Sequence, residues 1–313
     1  MPSFADVKES NQIILESLLT EGMEKRAVDA INDYTRYRMR EKGFFRKILP
    51  PLPITNDELT PQVGTDQPVK VVEREPDAPA AVSVPFNALP ENWYIKGVRY
   101  LVAFNRILSP RFTKDIDELR TYSMDIRQIL ADNAIKDMLA REDGQWIEVT
   151  NKAVGPKDAV HPLSGVVQWV TIRGGITRHN YIESLKVLRR TISRLETDTI
   201  LVNFITALEF AKWHRDEVGG DYSEEVILHG LTARDSAFAN FTNHKWLITI
   251  KTELVPEDVM YHYAEPKFLG KSYMLEDVTM NVERKAWILH YFMYELLGAA
   301  IGNTNAVARI DFE

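Results

Sequence analysis

The chain has 313 residues, 45% of them hydrophobic and 27% charged, which is the balance of an ordinary globular protein with room for about two domains and excludes a disordered or fibrous one. It contains no cysteine, which removes disulfide frameworks, thiolate metal sites and cysteine nucleophiles. A formal net charge of −7 argues against a dedicated DNA-binding protein, whose affinity comes largely from neutralising phosphates.

Residues 1–9 mix charges with apolar residues, unlike a signal peptide. No apolar run reaches bilayer length; even residues 200–211 are interrupted by Asn203, Thr206 and Glu209. The expectation is a chain that folds in the cytoplasm and avoids membranes.

Residues 5–46 read as helix, with apolar positions at Ile13, Ile14, Leu15, Leu18, Leu19, Met23, Ala27 and Ile31 and a candidate break at Gly22. Its second half interleaves Tyr34, Tyr37, Phe44 and Phe45 with Arg36, Arg38, Arg40, Lys42 and Arg46. That pattern suits either an exposed amphipathic helix with snorkelling basic side chains or an arm laid against neighbouring subunits or nucleic acid.

Residues 50–90 hold nine of the 15 prolines, so helices are disfavoured there and a compact core is hard to build. Residues 69–73 and 81–86 are strand-like and can pair as an extended hairpin. Such a segment is either a linker or a loop whose partners lie in another chain. Residues 93–108 then alternate like a strand returning from it, until Pro110.

From Asp115 to Arg141, Ile116, Leu119, Tyr122, Ile126, Leu130, Ala134 and Met138 recur every three or four residues, predicting a helix about 40 Å long that ends before Gly144. Strand candidates follow at 145–149 and 166–172. A further helix starts at Asn180 or Ser184, and a helical impression continues over 199–213. Residues 219–236 reset the pattern, after which 246–250 and 259–263 read as strands. Residues 284–297 are aromatic and aliphatic up to Gly298, and 307–312 close with a strand. The whole reads as α+β.

Motifs for chemistry are missing. The seven histidines form no HExxH or compact cluster with carboxylates, and neither GxSxG nor GxxxxGK[ST] occurs. Gly174-Gly175 reads as a turn and His214 with Asp216 as a surface pair. The acid pairs Glu224-Glu225 and Glu276-Asp277 could serve a hydrolase only if their side chains converged in differing environments. No catalytic, cofactor-binding or metal-binding residue is assigned.

The carboxyl-terminal stretch KWLITIKTELVPEDVMYHYAEPKFLGKSYMLEDVTMNVERKAWILHYFMYELLGAAIGNTNAVARIDF resembles the end of tailed-bacteriophage major capsid proteins, whose fold is shared with encapsulin shells. In that resemblance YAEPKFLGKSYMLED matches a strand, a glycine turn and a short loop, and ELLGAAIGNTNAVARIDF a helix, a glycine-containing turn and a closing strand. It implies an N-terminal arm over 1–48, an extended β-hairpin loop over 49–97, a peripheral domain with a long spine helix over 98–200, an axial domain over 201–285 and a return to the peripheral region over 286–313.

The resemblance also implies a structural, non-enzymatic subunit. Copies are expected to close as pentamers and hexamers into an icosahedral shell around double-stranded DNA, assembled in the host cytoplasm with scaffold and portal proteins and with room for a decoration protein. Arg36, Arg38, Arg40, Val71, Glu73, Arg74, Glu75, Val82 and Val84 are the candidate inter-subunit contacts, with Val69 beside them. Some relatives cross-link a loop lysine to an asparagine; Lys70, Asn303 and Asn305 match no such pattern, and non-covalent assembly is expected. An encapsulin-like compartment enclosing protein cargo is the alternative shell, and an interaction protein using the loop as a binding arm is the third reading.

Overall fold

The computed structural model describes residues 4–19, 28–29, 31–33, 35, 43–61, 67–74, 84, 89, 98–121, 125–210, 238–241 and 244–313. Twelve strands among them, β1 to β12 in chain order, form two six-stranded sheets around one long helix.

The first sheet has the order β1-β10-β11-β3-β2, with β4 also on β11. Its centre is a long antiparallel hairpin, β10 (Gly270–Lys285) and β11 (Ile288–Ile301). β3 (Val98–Leu108) and β4 (Phe112–Asp115) pair with successive stretches of β11, β1 (Leu52–Pro53) lies parallel to β10, and β2 (Val69–Arg74) forms the far edge on β3. Along β11 the buried residues are Leu289, Tyr291, Met293, Glu295 and Leu297, the period-two pattern of a strand with one face on a core. The helix that the resemblance implied at the start of ELLGAAIGNTNAVARIDF is therefore strand up to Ile301, because alternation puts every second side chain into the same core, and only a single 3-10 turn, Thr304–Ala306, follows. Likewise Gly270 opens β10 directly after the short helix Pro266–Leu269, so the expected glycine turn and loop are a helix and a strand.

The spine helix runs from Ile126 to Val154, 29 residues, about 44 Å at ~1.5 Å per residue. It starts later than expected, because Ile116–Thr121 forms a separate short helix. It also continues through Gly144, so the strand expected over 145–149 is helical. A mid-helix glycine costs about 1 kcal/mol, and burial of Trp146, Ile147, Thr150 and Val154 on the same stripe beyond it outweighs that cost.

The spine packs with β11 and β12 around the main core, which includes Leu130, Ala134, Met138, Trp146, Tyr263 and Met293. At its start the Ile126 N–H donates to the Asn11 side chain at 3.1 Å, so the N-terminal helix Phe4–Leu19 caps the spine. Ile14 and Ile31 enter the same core, and Asn32 accepts from the Met280 N–H at 2.7 Å. The helical stretch expected over 5–46, whose candidate break at Gly22 lies outside the described residues, does not run through to its end: residues 43 and 44 are not helical, and a new short helix, Phe45–Ile48, follows.

The second sheet has the order β5-β12-β9-β6-β8-β7, comprising β5 (Trp169–Ile172), β12 (Val307–Phe312), β9 (Val259–Tyr263), β6 (Thr199–Asn203), β8 (His244–Thr249) and β7 (Phe238–Phe241). The helical impression over 199–213 is corrected here. β6 lies between β9 and β8 with all five residues buried, so it shows no alternation, and helix Phe204–Glu209 begins only after Asn203 caps it at the Ile205 N–H. Helix Arg178–Arg189, capped by Thr177, covers this sheet through Tyr181, Val187 and Leu188. Residues 219–236, His214 with Asp216, and Glu224-Glu225 lie outside the described residues.

Candidate assembly surface

β2 pairs with β3: Val71 faces Leu101, Val72 faces Tyr100, Glu73 faces Arg99 and Arg74 faces Val98; of the partner expected over 81–86, all but Val84 lies outside the described residues. In an antiparallel ladder directly opposed residues share a face, so the two faces of this ribbon are fixed by register. The inner face carries Val72, Tyr100, Val102 and Phe104 onto a small core with Ile54 and Tyr273. Burial there pushes the Tyr100 hydroxyl up to about 12, and Lys70 lies over the Tyr273 ring with Glu58 at 3.2 Å.

The outer face is different. The half-buried Val71 sits beside Leu101, which is 49% exposed, and Glu73 pairs with Arg99 at 2.7 Å in the open. An apolar pair framed by an ion pair is the make-up of a small contact surface with an apolar centre and a polar rim. The edge of β2 is covered at its start, where the Thr60 N–H donates to the Val69 carbonyl and the Val71 N–H to the Thr60 hydroxyl.

Of the sequence candidates, Val71 and Glu73 therefore meet on the outer face. Arg74 turns the other way and reaches the Gly302 carbonyl at 3.4 Å. Val84 is 43% exposed and in no strand, and it is not brought to this face by any described contact. Arg36, Arg38, Arg40, Glu75 and Val82 lie outside the described residues. Asn303 and Asn305 are buried in the turn before β12, where Asn303 accepts from the Asn305 N–H and Asn305 donates to Ser193.

At the root of the hairpin is a charged cluster that the sequence reading missed. Arg46, on the short helix Phe45–Ile48, donates through Nε and Nη2 to Glu142 of the spine and through Nη2 to Glu295 of β11 at 2.8 Å. Asp277 of β10 stands 3.9 Å from Nη1. One residue along the spine, Asp143 accepts from the Phe45 N–H at 3.0 Å and from Lys251 at 2.6 Å. Burial lifts the Asp143 carboxyl, against the pull of Lys251. Burial and the neighbouring Glu142 lift Glu295 well above the usual carboxylate range. The clue in the sequence was two broken patterns, acids at 142–143 within the apolar stripe of the spine and at 295 within the alternating strand.

Among the described residues no cluster of histidine and acidic side chains suits a metal ion, and no helix is long and apolar enough to cross a membrane.

No protein-family model and no curated protein matches the chain. Solved structures do. The capsid of cyanophage P-SCSP1u aligns with a TM-score of 0.56 over 88% of this chain and 89% of that one at 8% identity. The capsid of a native GTA particle aligns at 0.55 over 86% and 89% with 12% identity, and a virus-like particle from Pyrococcus furiosus at 0.50 over 91% and 99% with 10% identity. The fold is shared with proteins of capsids and of a virus-like particle. More narrowly, it is the α+β fold of tailed-phage major capsid proteins.

Proposed function

We propose that this chain is the major capsid protein of a tailed phage, a structural subunit without enzymatic activity that closes into an icosahedral shell around double-stranded DNA. The observation that carries this reading is the likeness in fold to shell proteins over nearly the whole of both chains, 88% and 89% for the cyanophage capsid. Pentamers and hexamers are the building units, the virion is the final location, and assembly takes place in the host cytoplasm. Scaffold and portal proteins act during assembly, a decoration protein can be added outside, and the DNA lies against the shell without sequence-specific contact.

In this reading residues 98–200, with the spine helix, form the peripheral domain, residues 201–285 the axial domain and residues 286–313 the return to the peripheral region, and the β2–β3 ribbon is the base of the extended loop. The outer face of that ribbon meets a neighbouring copy. Burying the exposed remainder of Val71 and Leu101 contributes about 1–2 kcal/mol per contact, and closed symmetry repeats that contribution at every subunit. The candidates Arg36, Arg38, Arg40, Glu75, Val82 and Val84 belong to the same arm and loop and act at the same contacts.

Electron microscopy of the purified full-length chain tests this. The expected result is closed particles, or pentamers and hexamers by native mass spectrometry; a monomer under every assembly condition refutes it. The second reading, an encapsulin-like compartment, is favoured by the alignment that spans 99% of the Pyrococcus furiosus particle chain. Contents separate the two: nucleic acid inside the shells supports the phage role, protein cargo the compartment.

A further inference from the structure

Among the described residues, the triad of Arg46, Glu142 and Glu295 contains one negative charge too many for its own cation. Facing Glu295 are Arg46 from the short helix Phe45–Ile48, Glu142 from the spine and Asp277 from β10; next to them Asp143 is matched by Lys251, which enters from the segment after β8. Arg46 can balance one carboxylate, yet it holds two whose side chains have no exposed surface at all. Glu295 Oε1 has no donor partner, although it is fully buried. An unpaired buried charge is among the most costly groups a fold can carry. Two carboxylates are both acceptors and can bond each other only if one carries a proton.

We propose that Glu142 and Glu295 hold one proton between them, and that this proton latches the Arg46 segment, the junction of arm and extended loop, to the spine helix and β11. With the proton in place the triad is neutral: Glu295 donates to Glu142, and both accept from Arg46. Without it, two buried anions face each other with Asp277 close by, and the junction loosens from the spine. Because the folded state favours the protonated form, as the raised Glu295 carboxyl agrees, the stabilisation is complete below the ordinary carboxylate range and is lost as pH rises through the value that the pair has when folded. The latch belongs to the single folded chain and holds whether or not copies close into a shell.

The test combines infrared spectroscopy and hydrogen exchange on the full-length chain. A carboxylic-acid carbonyl band is expected to persist at neutral pH, to vanish on raising the pH and to be missing in Glu295→Gln. The amides of Phe45, Ile48 and Leu49, corrected for intrinsic exchange, should lose protection over the same range, by up to about tenfold per pH unit above the pair's titration point. In Glu295→Gln, whose amide donates permanently, that protection should not respond to pH. No acid band at neutral pH, or the same pH response in both proteins, overturns the proposal. If Glu295→Gln does not fold, Asp143→Asn decides: a band that survives removal of this neighbouring acid supports the latch, and one that disappears with it refutes it.

Discussion

His262 illustrates what burial does to a single titrating group. It sits on β9 between Ile200 and Ala308, fully enclosed, and neither ring nitrogen has a partner. Burial, with His244 second, holds its pKa down to about 3. The folded chain therefore keeps it neutral, while the unfolded chain takes up a proton below about 6.5. Stability is complete above that value and falls as pH drops toward about 3, by up to ~1.4 kcal/mol per unit. Urea unfolding at a series of pH values should show a flatter acid slope for His262→Leu than for the wild type; equal slopes would place the acid sensitivity elsewhere. Arg46 makes the opposite demonstration. Arg46→Met strands the buried Glu142 and should cost about 3–5 kcal/mol in the same assay. Arg46→Lys keeps the charge but loses the fork to Glu142, and is expected to fall between.

Among the elements, the β10–β11 hairpin depends on residues that have no side chain. A Cβ at Gly270 would come 2.2 Å from the Ala300 carbonyl oxygen, and one at Gly298 2.9 Å from the Ala103 carbonyl oxygen. Both obstacles are backbone within the sheet and cannot swing away. Gly270→Ala should therefore disrupt the pairing and lower the melting temperature sharply, whereas Gly165→Ala, open but at φ +69°, should cost only about 1 kcal/mol; equal effects would argue against the close approach. The legibility of each element followed from its burial pattern. β9 could be read because it is a short, largely apolar run between breaks, and β12 because Ala308, Ile310 and Phe312 alternate with Arg309 and Asp311. The spine's periodicity was visible, but its end was misplaced because Gly144 outweighed Trp146 and Val154 in a local reading. β6 passed for helix because burial on both faces leaves no alternation. Of the candidate surface, Val71 and Glu73 could be found in the sequence as a strand in a proline-rich loop; their partner β3, and with it the face each occupies, depends on a register that only tertiary pairing sets. Glu295 was hidden for a related reason, since an acid in a strand reads as solvent-facing until its partners are known.

For the whole molecule, the decisive quantity is how a weak contact is repeated. The Glu73–Arg99 pair is about 70% exposed on both sides, so losing it changes the stability of one subunit by no more than about 1 kcal/mol. Val71 is half-buried and Leu101 49% exposed, and neither belongs to a core cluster, so polar replacements there do not empty the core. A subunit carrying Val71→Asp and Leu101→Asp should melt within a few degrees of the wild type. If the outer face meets another copy, the same changes leave an unpaired charge in every contact of the shell. Each ~1.4 kcal/mol lost per contact weakens that contact about tenfold, and a closed array compounds the loss because each subunit is held by several neighbours. The concentration needed for particles to form should consequently rise by an order of magnitude or more while thermal unfolding barely moves, which light scattering and calorimetry on the same samples would resolve. Particles forming at an unchanged concentration would show that this face looks outward to solvent and that the arm and loop contacts lie elsewhere on the chain.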